Sequence, residues 1–445
     1  MRRRRFLLAA SSVAVAAPFM GLSGCGNASD DGPQPVPPSD VVLSLPKDMY
    51  LHLGAPTEWW WHIGTLRAGA RTFGFEINTA SFAKDGFAFS QIMLSDVANG
   101  RHYKRTIPFT PPVMFNPSTW AESDVSKDWF TRLGDPDNGL SGIAVVDPGS
   151  GYTSAPTVEI SGGSGASAFA LVADGKVAQI VVLNPGSGYT SPPTVSLVGG
   201  GGSGATARAY HMYANMTAPA GDPTQSMRVQ ALLCDDPSFI PIRFDLTFSQ
   251  QGRPFFVWGT GVNPSGDPGD LTTNNYYFSL TRMDAAGTID LDGERFDVEG
   301  VTWMDHEYGA FGTAANPVKW MLQDFQLDNG WCVSNYATVE GGVPPLGQTV
   351  PSIATVQDPA GNLYVLETRM TAIGRTWTSP ETGATYFLEF RVEIPAFEAE
   401  LTATALVDEQ EFPLPGFSVY EGVAAGVGTF KKRPVTGTAW IEQAV

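Results

Sequence analysis

Thr72-Phe73-Gly74-Phe75-Glu76-Ile77-Asn78 alternates polar and apolar residues one by one. A period of two puts Phe73, Phe75 and Ile77 on one face, which is the signature of a half-buried β-strand. The pattern returns in Phe244-Asp245-Leu246-Thr247-Phe248 and in Leu388-Glu389-Phe390-Arg391-Val392-Glu393-Ile394. Between such runs stand turn-forming clusters, among them Asp284-Ala285-Ala286-Gly287 and Asp328-Asn329-Gly330. No stretch carries the 3.6-residue period of a long amphipathic helix, and 49 glycines with 34 prolines oppose one. The expectation is an all-β protein of many short antiparallel strands, arranged as sandwiches or barrels. Its 445 residues exceed one ordinary domain.

Lys and Arg number 27 against 45 Asp and Glu, a formal charge of -18. Such a surface repels phosphate backbones and argues against nucleic acid, which is not expected as a partner. Residues 1–24 read as a signal peptide, with four arginines before a short apolar run. Arg3-Arg4-Arg5-Phe6-Leu7-Leu8 resembles a twin-arginine export signal, and Leu22-Ser23-Gly24-Cys25 resembles a bacterial lipobox. The expectation is export to the bacterial cell envelope and lipidation of Cys25, which would anchor the chain to a membrane. Residues 25–44, rich in Gly, Pro, Ser and Asp, read as a flexible tether. Cys234 and Cys332 read as small buried hydrophobes and leave room for at most one disulfide.

Asp147-PGSGYTSAPTV-Glu159 recurs as Asn184-PGSGYTSPPTV-Ser196, a period of 37 residues. Tandem self-similarity marks a small repeated β-unit, which spans 138–210 and interrupts a domain that resumes at Tyr213. Having almost no ionisable side chains, it reads as a structural module or spacer.

Two constellations carry chemistry. In Glu58-Trp59-Trp60-Trp61-His62, a strand would place Glu58, Trp60 and His62 on one face, where they could line a cavity as substrate-binding groups. Gly300-Val301-Thr302-Trp303-Met304-Asp305-His306-Glu307-Tyr308-Gly309 sets an imidazole between two carboxyls, with two aromatic rings close by. The candidate catalytic residues are His306, Asp305, Glu307 and Tyr308, with Trp303 on the substrate side. Asp305 is expected to orient His306 and raise its pKa, so that it donates a proton near neutral pH. Divalent-metal ligation by Asp305, His306 and Glu307 is the competing possibility. Three adjacent strand residues rarely all point inward, so no metal and no cofactor are expected. A structural ion-pair cluster at a domain junction is the bland alternative. No GxSxG elbow or P-loop is present.

With these motifs the chain resembles the AttH-like family, the lipocalin-like "predicted secreted hydrolases" related to carotenoid 1,2-hydratases. The resemblance rests on EWWWHIGTLRAGARTFGFEI, on Tyr276-Tyr277-Phe278-Ser279, on GVTWMDHEYG, on Trp320 to Gly330, on Tyr420-Glu421-Gly422 and on Gly437 to Glu442, in that order. It implies two tandem lipocalin-like barrels or sandwiches, at 45–299 (interrupted by the repeat) and 300–445, with a cavity near their junction. In the hydratase relatives an imidazole and an aromatic ring serve alkene hydration, which carried over are His306 and Tyr308; the hydratases have tryptophan at the latter. The implied function is a hydratase or hydrolase acting on an apolar isoprenoid- or lipid-like small molecule. The alternative is a non-catalytic lipid-binding or carrier lipoprotein.

Overall fold

The structure, a computed structural model, describes residues 32–109, 120–134, 139–189, 193–263, 269–311, 319–339, 342–414 and 417–444. The leader, the lipobox and Cys25 lie outside the described residues. Among the described residues no α-helix occurs; antiparallel strands joined by turns and short 3-10 segments make up the fold.

The first body is a strongly curled sheet of twelve strands. Its path runs through Arg101–Phe109, Phe87–Asp96, Arg71–Phe82, Thr57–Ala68, Glu294–Gly309, Asn275–Leu291, Pro241–Gln250, Ser226–Cys234, Tyr213–Thr217 and Phe130–Gly134. The long hairpin at its centre turns at Asp292-Gly293, whose φ angles are both positive (53° and 85°), the conformation an Asp-Gly pair adopts in tight hairpins. The curl brings the last strand back towards the start of the sheet. There the Thr79 and Thr131 hydroxyls are 2.8 Å apart. The interior is filled by alternate residues such as Trp60, Phe73, Phe75, Phe248 and Phe278.

The second body is a closed barrel. Trp320–Leu327, Cys332–Thr338, Thr349–Gln357, Leu363–Ala372, Glu389–Ile394, Ala399–Ala405, Phe417–Phe430 and Arg433–Ala444 pair in sequence around it. Ala399–Ala405 crosses to Phe417–Phe430, and Arg433–Ala444 returns to Trp320–Leu327 to complete the ring. Full closure leaves no unpaired edge within the ring.

The two bodies meet along an apolar seam. Ile63, Met93, Phe255 and Trp303 from the first pack on Leu363, Phe412, Val423 and Trp440 of the second. Gly74 is required there: a Cβ at this position would lie 2.4 Å from the Val423 Cβ.

The repeat has its own sheets and core. Strands at Gly142–Asp147, Lys176–Asn184, Ser167–Ala173 and Thr206–Tyr210 form one sheet, and Thr157–Ile160 pairs with Val195–Val198. Equivalent tyrosines of the two copies, Tyr152 and Tyr189, are buried in its own small core. The flanking strands Phe130–Gly134 and Tyr213–Thr217 pair directly with each other, so the body closes beneath the insertion.

Three expectations need correction. Asp284 to Gly287 is not a turn but part of the strand Asn275–Leu291, because Gly287 lets the Asp245 carbonyl approach to 2.1 Å of where a Cβ would be. The boundary at residue 300 falls inside the strand Glu294–Gly309, which belongs wholly to the first sheet. The described part of the tether is not free: Val36 N donates to the Leu363 carbonyl, Val42 N to the Thr260 carbonyl, and Leu43 is buried in the first core. In the barrel, alternation turns Phe325 and Ile441 inward and Trp320 and Trp440 outward. Cys234 and Cys332 are both buried and free.

Candidate functional site

The strand Glu294–Gly309 is held between Thr57–Ala68 and Asn275–Leu291, with Glu58 opposite Tyr308, Trp60 opposite His306 and His306 opposite Phe278. The two-residue period sorts its motif to opposite faces. His306 and Tyr308, with Glu58, Trp60 and His62, look into the first body. Trp303, Asp305 and Glu307 look out towards the seam. The structure therefore splits the sequence-derived set into two clusters, back to back.

On the inner face, His306 is fully buried, stacked on Trp60 at 4.6 Å, and its Nδ1 donates to the Trp59 carbonyl at 2.9 Å. The Glu58 carboxyl lies 3.5 Å from His306 Nε2. A third residue completes the cluster. His52 Nδ1 is 2.8 Å from Glu58 Oε1, and its ring stacks on Tyr308 at 3.5 Å. The segment carrying His52 is fixed because the Trp60 and Trp129 indoles both donate to the Met49 carbonyl, at 3.1 and 2.8 Å. Burial pulls the His52 imidazole down, but bonds to Asp48 and Glu58 outweigh it and push its pKa up to about 9. Burial, with His52 beside it, holds His306 well below the usual imidazole range. Burial pushes the Glu58 carboxyl up, against the pull of His52. Tyr308 is raised by burial and by Asp48 and Glu58. His62 packs against Phe248 at 5.0 Å with neither ring nitrogen bonded, and burial alone drives its pKa down to about 3. His52, Glu58 and His306 are also the described group with metal-ligand spacing.

On the outer face the chemistry is acidic. Asp305 accepts from Ser279 Oγ at 2.5 Å and Trp303 Nε1 at 2.8 Å, and Glu307 accepts from Asn275 at 2.5 Å. Across the seam, Trp320 Nε1 donates to Glu442 and Trp440 Nε1 to Glu421, each at 2.8 Å or less. Glu76 and Asp324 complete a set of carboxyls that are buried except for the half-buried Glu442, and Glu76, Asp324 and Glu421 each keep one oxygen without a hydrogen-bond partner. Burial raises all six above the usual carboxylate range, and mutual repulsion adds to this for most of them. Asp305 reaches about 6 and Glu442 about 7. Among the described residues no cationic side chain counters these shifts, unlike the pairing around His52. A cleft lined by Ile63, Trp303, Asp324, Gln326 and Trp440 runs along the seam and holds about one water molecule.

Two expectations about this motif are corrected. Asp305 does not orient His306, since adjacent strand residues point apart; Glu58 is the carboxyl beside that ring. His306 is not raised into a near-neutral donor, because it is buried next to a cationic partner. Ligation of one ion by Asp305, His306 and Glu307 together fails for the same reason of alternation. His52, Asp48, Glu76, Asp324, Glu421 and Glu442 were not singled out as site residues. Glu421 and Glu442 stood inside quoted motifs, but His52 had no motif around it.

The model of the AttH-like family matches residues 194–444. The chain belongs to the AttH-like family. No curated protein sequence matches this AttH-like chain. Among solved structures, an AttH candidate from Nitrosomonas europaea superposes with a TM-score of 0.57 at 17% identity, covering 92% of this chain and 98% of that one. Kievitone hydratase from Nectria haematococca superposes at 0.54 and 12% identity, over 93% and 96%. At these identities the likeness establishes a shared two-domain lipocalin-like fold.

Proposed function

We propose that this AttH-like protein is an exported, lipid-anchored envelope enzyme that hydrates or hydrolyses an apolar, isoprenoid- or lipid-like substrate at its interdomain seam. The observation that carries the reading is the buried carboxyl set between indoles, with Asp305 at about 6 and Glu442 at about 7. A carboxylic acid that keeps its proton near neutrality can act as a general acid. In hydration, the alkene π pair takes that proton to form a C–H bond. The cation left on the neighbouring carbon faces the new carboxylate and the Trp303 and Trp440 rings. Water then forms the C–O bond and returns a proton to the carboxylate. Asp324 is the residue assigned to this transfer, since it lines the cleft with an unpartnered oxygen. Because the cleft holds about one water, the seam must part to admit substrate. Cys25 within its lipobox supports the anchor.

The sealing of His306, neutral and without solvent contact, favours a second reading as a carrier that performs no chemistry. One experiment separates the two. Lipid extracted from the purified protein is identified, then incubated with it in ¹⁸O-water. Hydration predicts ¹⁸O in the product, and Asp324→Asn slows its appearance by about 10²–10⁴-fold. Unlabelled, unchanged lipid sinks the enzyme and leaves the carrier. Cys25→Ser should abolish acyl labelling and detergent-phase partitioning.

A further inference from the structure

We propose that His52, Glu58 and His306 form a binding site for a divalent transition ion of the zinc type. Their ligand atoms lie within 4.8 Å of one another, drawn from the segment before the first strand and from two neighbouring strands. His52 Nδ1 is 2.8 Å and His306 Nε2 is 3.5 Å from the same Glu58 oxygen. Zinc binds N and O ligands at about 2.0–2.2 Å, so three ligands around one ion stand roughly 3–3.5 Å apart. The two separations to Glu58 are already close to that spacing.

The independent observation is the far nitrogen of His306. Its Nδ1 faces a backbone carbonyl, which only a donor can satisfy, and this assigns the proton to Nδ1. Nε2 then turns a lone pair towards a carboxylate in a fully buried site, where it has no hydrogen-bond partner. Two acceptors facing each other out of water is an arrangement that a positive ion between them resolves. An imidazole whose outer nitrogen donates to a carbonyl is also how metal-binding histidines are oriented.

The surroundings support the same reading. Glu58 is aimed by the His52 backbone amide, which donates to both its oxygens at 2.9 and 3.1 Å. Asp48 lies 3.6 Å from His52 Nε2, on the side away from the trio, where a second carboxylate steadies a ligand ring. Two imidazoles and one carboxylate select zinc-like ions over calcium or magnesium, which require mostly oxygen. Three protein ligands leave a fourth position open, and the side chain of His52, 17% exposed, gives the site a route to solvent.

The test uses the full chain, stripped with chelator and titrated with zinc chloride by calorimetry, then with cobalt(II) by visible absorption. One ion per chain is expected, together with the visible bands of a low-coordinate nitrogen- and oxygen-ligated cobalt. His52→Ala removes a ligand at the rim, and Glu58→Gln keeps the shape of the site while removing its charge. Each should weaken zinc binding at least tenfold, whereas His102→Gln, away from the trio, should bind as the wild type does. Zinc should also raise the melting temperature of wild type but not of His52→Ala. Absence of stoichiometric binding, or a loss smaller than tenfold in either ligand variant, overturns the proposal. None of these readouts depends on turnover, so the site can fail while the seam enzyme stands, and the reverse.

Discussion

One strand, Glu294–Gly309, carries two buried clusters that behave in opposite ways. The inner face sets imidazoles against carboxyls, so charge is matched locally and His52 stays protonated. The outer face gathers Asp305, Glu307 and their partners across the seam with no cation among them, so those acids hold on to protons. Burial is nearly equal on the two sides: His306 is 0% and Asp305 8% exposed. What differs is what each group is given to face. The formal charge of -18 therefore overstates the acidity near pH 6, because part of it sits on seam carboxyls that are still protonated.

The most direct way to break this contrast is pH. Glu442 is raised from 4.5 to about 7, so between those values the folded state binds a proton that the unfolded state has lost. Stability from this group is thus present below about pH 4.5 and falls as pH rises to about 7. Glu442→Gln carries no such charge. It should unfold like wild type in urea at pH 4 and be more stable at pH 8, by on the order of 3 kcal/mol. A difference independent of pH would mean that the seam carboxyls are ordinary ionised acids.

The alternation at residues 72–78 and its recurrences were sufficient for the all-β class, and the face-sharing of Glu58, Trp60 and His62 followed from period two alone. The same rule also separates Asp305 from His306, yet their adjacency in sequence invited the opposite reading. His52 could not be found from sequence, because its place depends on a non-local peg: two indoles donating to the Met49 carbonyl, one of them 80 residues away. The seam acids were hidden for a related reason. Glu421 and Glu442 belong to the second body and meet Asp305 and Glu76 only when the curled sheet and the closed barrel pack. The repeat was legible because its two copies repeat almost letter for letter.

A smaller effect sharpens the seam side alone. Gly74→Ala would bring a methyl to 2.4 Å of the Val423 Cβ. Gly74 is paired on both sides, to Thr65 and Ser95, and Val423 is held in the closed barrel, so neither yields freely. A loss of about 2 kcal/mol in urea unfolding is expected. Val423→Ala added to it should recover only a small part of that loss, since it removes the Cγ1 and Cγ2 atoms at 2.5 and 3.0 Å but keeps the Cβ at 2.4 Å. Zinc affinity should not change, because the inner cluster lies on the other side of the sheet.

The least effect belongs to the repeat. Its core is separate, and the body strands beneath it are already joined, Gly134 lying opposite Tyr213. The contacts it makes with the body include two cation–π pairs, Arg105 over Tyr210 at 4.2 Å and Arg208 over Phe239 at 4.4 Å. Arg105 would not be stranded by the loss of Tyr210, since it also donates to the Cys234 and Asp235 carbonyls. Replacing 138–210 by a short Gly-Ser turn should therefore cost only about 1 kcal/mol in urea unfolding. The pH-dependent gain of Glu442→Gln should survive in the shortened chain. If that gain vanished instead, the repeat would be holding the two bodies in register, and the two faces of the strand would not be independent.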